Sequence, residues 1–113
     1  MPVGAAAAWQ TTGRAVALRW AYGNADGQLV ARAGRLYCAR LVPGDATTKE
    51  LVAVLRDGAD GTAAPILALA VTGGAPDDWP GTPVSMGFKR GLYVQFFGGV
   101  AAGRLLLVGW ETD

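Results

Sequence analysis

Turn-forming residues interrupt this chain so regularly that long helices have little room. The clusters Gly23-Asn24-Ala25-Asp26-Gly27, Pro43-Gly44-Asp45, Asp57-Gly58-Ala59-Asp60-Gly61, 72–81, Lys89-Arg90-Gly91 and 98–103 divide the sequence into short segments, most of them near the roughly 8–12-residue strand-and-turn spacing of all-β domains. Glycine reaches positive φ at no steric cost, while Asn, Asp and Pro set the other turn conformations. Between the clusters lie short apolar or alternating segments. In 14–20, Val16, Leu18 and Trp20 share one face, the period of a half-buried strand. Segments 28–31, 35–42, 65–71, 83–88, 92–97 and 104–110 read the same way. In 49–56, Leu51, Ala53 and Leu55 oppose Val52 and Val54. Both faces there are apolar, which fits a buried strand better than a short helix.

The spacing predicts an all-β fold: a single-domain antiparallel β-sandwich of seven to eight short strands, jelly-roll or immunoglobulin-like in strand order. Residues 14–113 form the domain. The Ala-rich opening, 1–13, has no clear period and reads as an N-terminal arm. With 113 residues the chain is long enough for one core and too short for two.

Ten Lys and Arg stand against nine Asp and Glu, spread along the chain, so no basic stripe marks a nucleic-acid partner. The longest apolar runs, such as 65–71, fall far short of the ~20 residues that span a bilayer. The opening Met1-Pro2-Val3-Gly4 lacks the basic start and long apolar stretch of an export signal. A soluble chain with neither nucleic-acid nor membrane partner is expected. Its apolar surplus, 51% of residues, predicts exposed apolar surface on a monomer and hence a homo-oligomer, with a trimer as the expected state. The single cysteine, Cys38, forms no internal disulfide and reads as a small buried hydrophobe.

Catalytic chemistry finds few materials. The chain contains no histidine, which removes the commonest general base and metal ligand. Asp57 and Asp60 flank a glycine turn, but they lack the regular oxygen ligands and closing Glu of a calcium loop and read as solvated turn acids. Asp77 and Asp78 are adjacent, and neighbours in an extended segment point apart. The glycines at 58–61 and 98–103 lack the Lys-Ser/Thr of a phosphate loop and read as hairpin turns. No catalytic residue, metal or cofactor is expected. Of the four tryptophans, Trp20 and Trp110 fall within strand patterns. Trp9 in the arm and Trp79 in the long irregular stretch are better placed for contacts, an exposed ring being a flat apolar face.

Five segments taken in order carry a resemblance: Ala33-Gly34-Arg35-Leu36-Tyr37, Leu55-Arg56-Asp57-Gly58, Pro65-Ile66-Leu67-Ala68-Leu69, Gly87-Phe88-Lys89-Arg90-Gly91-Leu92-Tyr93-Val94 and Leu107-Val108-Gly109-Trp110-Glu111. Together they resemble a group of small β-sandwich structural proteins of tailed bacteriophages, over most of the domain. Each motif is also ordinary hairpin chemistry. The Ala-rich arm and residues 73–81 depart from the pattern. The resemblance implies a non-enzymatic virion protein, most simply a capsid decoration or head-fibre component that binds the major capsid protein, assembled in the host cytoplasm. A tail or adaptor component is the alternative within that class. A carbohydrate-binding module, stacking sugars on Trp79 with Tyr93 or Trp9, is the alternative outside it. The partner-contact candidates are Ala5, Ala8, Trp9, Trp79 and Tyr93.

Overall fold

The computed structural model describes residues 9–15, 18–79, 86–98 and 103–112, with the backbone alone for 9–15 and 18. Ten strands are described: β1 (Trp9–Ala15), β2 (Leu18–Gly23), β3 (Gly27–Val30), β4 (Gly34–Val42), β5 (Glu50–Asp57), β6 (Ala64–Thr72), β7 (Asp77–Trp79), β8 (Met86–Phe88), β9 (Leu92–Phe97) and β10 (Leu105–Thr112). They build two antiparallel sheets. Sheet I has the order β1-β2-β10-β4-β7, with β8 pairing a second stretch of β4. Sheet II has the order β3-β9-β5-β6. The expected antiparallel β-sandwich is the observed fold.

Alternation sets the inner faces. Leu51, Ala53 and Leu55 of β5 turn inward with Leu92, Val94 and Phe96 of β9, to meet Leu36, Ala39 and Leu41 of β4 and Leu106 and Val108 of β10. Phe88 and Trp110 complete a core in which no described polar side chain is buried. Each fully buried Leu or Phe contributes about 1.5–3 kcal/mol.

Only β1–β2 and β5–β6 join strands that are neighbours in one sheet. β7 and β8 both lie along β4, so they continue one edge of sheet I. Every other connection carries the chain from one sheet to the other. The stretch Phe88-Lys89-Arg90-Gly91-Leu92, read from sequence as part of a hairpin, is such an arch: β8 pairs with β4, and β9 with β3 and β5. The glycines of 98–103 likewise stand between β9 of sheet II and β10 of sheet I, whereas those of 58–61 do close the β5–β6 hairpin. At Gly91, φ is 144° and a Cβ would meet the Val30 carbonyl oxygen and lie 2.8 Å from the Gln28 amide nitrogen. Only glycine fits that crossing.

The strands expected at 35–42, 49–56, 65–71, 92–97 and 104–110 are present with ends shifted by a residue or two. The single strand expected at 14–20 is not. Ala15 pairs with Leu18 and Trp9 with Gly23, so the chain reverses between them and 10–13 run within β1. Val16 lies outside the described residues. No Gly, Pro, Asn or Asp marks that reversal in the sequence. β7 was also not foreseen. It lies in the stretch read as irregular, and its pairing with β4 is supported by side-chain bonds to distant segments.

Candidate partner-contact site

Of the five contact candidates, Ala5 and Ala8 lie outside the described residues. Trp9 opens β1, the outermost strand of sheet I, which pairs with β2 and with no other described strand. One row of its backbone N–H and C=O groups faces away from the sheet, the arrangement that accepts an added strand. The register of β1 on β2 shifts between Thr11 and Arg14, the mark of a bulge that bends the strand locally.

Trp79 closes β7, opposite Ala39. Its side chain is half-buried and packs against the core. It also lines a depression of about 340 Å³ with Cys38, Ala39, Arg40, Asp78 and Leu107. In that depression Arg40 Nη1 donates to Asp78 Oδ1 at 2.8 Å and Oδ2 at 2.6 Å, so the two charges answer each other. Burial pushes the Cys38 thiol above its ordinary value, against a smaller opposing effect from its backbone bond with Gly109. A thiol held protonated is a poor nucleophile. Cys38 is half-buried, not buried as the sequence implies. It stands on the outer face, where a Cβ at Gly109 would lie 2.7 Å from its Sγ and 3.0 Å from the Trp20 ring.

Tyr93 belongs to the other sheet. In β9 the inward residues are Leu92, Val94 and Phe96, so Tyr93, Gln95 and Phe97 share the outer face of sheet II. Trp79 and Tyr93 are therefore not brought together, and no shared stacking platform forms from this pair.

Of the acids singled out in the sequence, Asp78 pairs with Arg40, while Asp57, Asp60 and Asp77 act on the protein's own backbone. Asp57 accepts from the Lys89 amide at 2.9 Å and the Arg90 amide at 2.7 Å, pinning the arch to the end of β5. Burial acts to raise its carboxyl, but the amides of Arg90, Lys89 and Gly91 and the Arg90 charge outweigh it and hold it below the usual carboxylate range. Asp60 accepts from the Thr62 amide and hydroxyl at 2.9 and 2.6 Å, chiefly the hydroxyl bond lowering its carboxyl. Asp45 does the same for Thr47 and Thr48 and is likewise lowered, first by the Thr48 hydroxyl. Asp77 accepts from the Ala70 amide of β6 at 2.9 Å, tying the edges of the two sheets together. Asp26 accepts from the Phe96 amide at 2.8 Å. Among the described residues no group of three His, Cys, Asp or Glu is placed to hold a metal ion.

Among the described residues, the exposed large apolar side chains that the sequence reading passed over are Leu105 and, more exposed, Phe97, 46% exposed at the end of β9. Val52 and Val54, already notable for making β5 apolar on both faces, stand beside it and are half-buried. That two-faced pattern was the available signal. No protein-family model matches the chain, and no curated protein matches it.

Proposed function

We propose that this protein is a non-enzymatic structural component of a tailed-bacteriophage particle, a capsid decoration or head-fibre protein that binds the major capsid protein. The observation that carries this reading is the edge of β1, which pairs with β2 alone among the described strands, begins at Trp9 and follows residues 1–8 in the chain. A sandwich with a fixed core and an outer strand that pairs on one side only among the described residues suits attachment by strand addition, in which main-chain hydrogen bonds supply affinity and a few side chains supply register. Trp9 is the contact proposed on that edge, with Ala5 and Ala8 as contacts in the residues that precede it in the sequence. The acids described above serve turns and strand edges, and the sequence has no histidine; both features support a role in binding.

The test is a count of copies by quantitative mass spectrometry of purified particles, against the major capsid protein. A repeated surface component gives many copies per particle and a tail or adaptor component a few. Absence of the chain from the particle overturns the reading. Deleting residues 1–8 together with Trp9→Ala is expected to abolish attachment to empty capsids while leaving the circular dichroism of the domain unchanged.

A further inference from the structure

The outer face of sheet II carries information that the virion reading does not use. On β5 the residues Glu50, Val52, Val54 and Arg56 alternate with the buried Leu51, Ala53 and Leu55. Val52 stands between Ala70 of β6 and Phe97 of β9, and Val54 between Ala68 and Gln95. Two rows result, Phe97–Val52–Ala70 and Gln95–Val54–Ala68, with no charge in either. Phe97, Ala68 and Ala70 are exposed. The charges sit at the two ends of β5. Glu50 is exposed at one end. Arg56 stands at the other, its guanidinium fixed by bonds from Nε to Gln95 Oε1 at 3.1 Å and from Nη1 to the Ala63 carbonyl at 2.9 Å. They stand six positions apart along the strand, or about 20 Å.

An uncharged, largely apolar strip with one negative and one positive end is complementary to itself when turned end for end. We propose that the outer face of sheet II pairs with the same face of a second copy, β5 crossing over β5 in the opposite direction about a two-fold axis. Glu50 of each copy then meets Arg56 of the other, and the two apolar strips close on each other at ordinary sheet-stacking distance. Turning the second copy the other way would set Glu50 against Glu50 and Arg56 against Arg56. The area is small: a face of roughly 20 by 20 Å gives on the order of 400 Å² per copy, about 800 Å² in all and below the ~1,000 Å² of a stable interface, so the pairing expected is weak and transient, micromolar at its tightest. Two copies complete the contact, so a pair takes the place of the trimer expected from composition.

The experiment is sedimentation equilibrium on the full chain from about 1 to about 500 µM, a range that brackets micromolar affinity. The mass is expected to rise from the 11.6 kDa of one chain toward twice that value. Phe97→Lys, at an already exposed position, is expected to weaken pairing at least about tenfold without lowering the melting temperature. The decisive arm is a mixture. Glu50→Arg alone opposes Arg to Arg at both ends, and Arg56→Glu alone opposes Glu to Glu, so each is expected to be monomeric. Mixed, they regain both charge pairs and form a heterodimer. If Arg56→Glu does not fold, Glu50→Arg with Phe97→Lys carries the test. A wild-type monomer across the whole range overturns the proposal, as does a dimer indifferent to Phe97→Lys or a mixture of folded variants that stays monomeric. The pairing is independent of the virion reading: a chain that is monomeric yet abundant in particles overturns the first and leaves the second standing.

Discussion

The two sheets are joined along two seams, and the seams are built differently. At one end of the sandwich, the arch Lys89-Arg90-Gly91 passes from sheet I to sheet II under a carboxylate, Asp57, that takes two consecutive backbone amides. Gly91 there runs against β3 so closely that no side chain fits, and Gln28 donates to the Gly58 carbonyl at 3.1 Å, tying β3 to the β5–β6 turn. Along the side, β7 meets β6 through one bond from the Ala70 amide to Asp77, and is held to β4 by the exposed Arg40–Asp78 pair. A carboxylate that satisfies backbone donors at a sterically fixed crossing resists loss. A pair of mobile side chains in water contributes little, because solvent already screens both charges. The end seam fixes how the sheets face each other, and the side seam trims an edge.

The sharpest way to break this contrast is Gly91→Ala. It combines an unfavourable backbone conformation with a clash against the Val30 carbonyl, and is expected to cost about 3 kcal/mol in chemical denaturation. A loss below about 1 kcal/mol would mean that the arch yields easily. Asp57→Ala comes next, at about 1 kcal/mol after allowing for solvent, and it carries a pH signature. The folded carboxyl lies below its ordinary value, so its stabilisation is complete above the unfolded pKa of about 3.9 and is lost as pH falls through the folded value. Wild type and variant are therefore expected to differ fully at neutral pH and to converge as pH drops below about 4. Asp77→Ala, on the side seam, removes one exposed amide bond and is expected to cost roughly half of that. Smallest is the coupling between Arg40 and Asp78, expected from a double-mutant cycle at no more than about 0.5 kcal/mol and to vanish in high salt. A coupling above that of Asp57 would reverse the ranking of the seams.

The same contrast explains what the sequence made legible. β4, β5, β6, β9 and β10 carry their own alternation between turn residues, and local pattern is enough to place them. β7 has no such pattern in Asp77-Asp78-Trp79. It is held by Ala70 and Arg40 and by the packing of Trp79 against the core, partners that only the folded chain brings near. The β1–β2 reversal escaped for a different reason: the alternation runs on through the reversal with no turn residue to stop it. At the candidate contact surface, Trp9 and Tyr93 were visible in the sequence as aromatic residues. The separation of Trp79 from Tyr93 was not, because it depends on which sheet each strand joins. Periodicity gives the face of a strand and is silent about its neighbours.

β10 lies between β2 and β4 at the centre of sheet I, although it is the tenth strand in chain order. During synthesis the β1–β2 hairpin and β4 therefore leave the ribosome with no partner to unite them, and each waits with an unpaired long side. Sheet II is nearly as late, since β9 is needed to bring β3 to β5. Folding of this chain is thus a single late event governed by distant closures, expected on the slow millisecond-to-second scale of β-sandwiches. A nascent chain arrested before Leu105 should expose both halves of sheet I to chaperones and proteases, and one released after Thr112 should not.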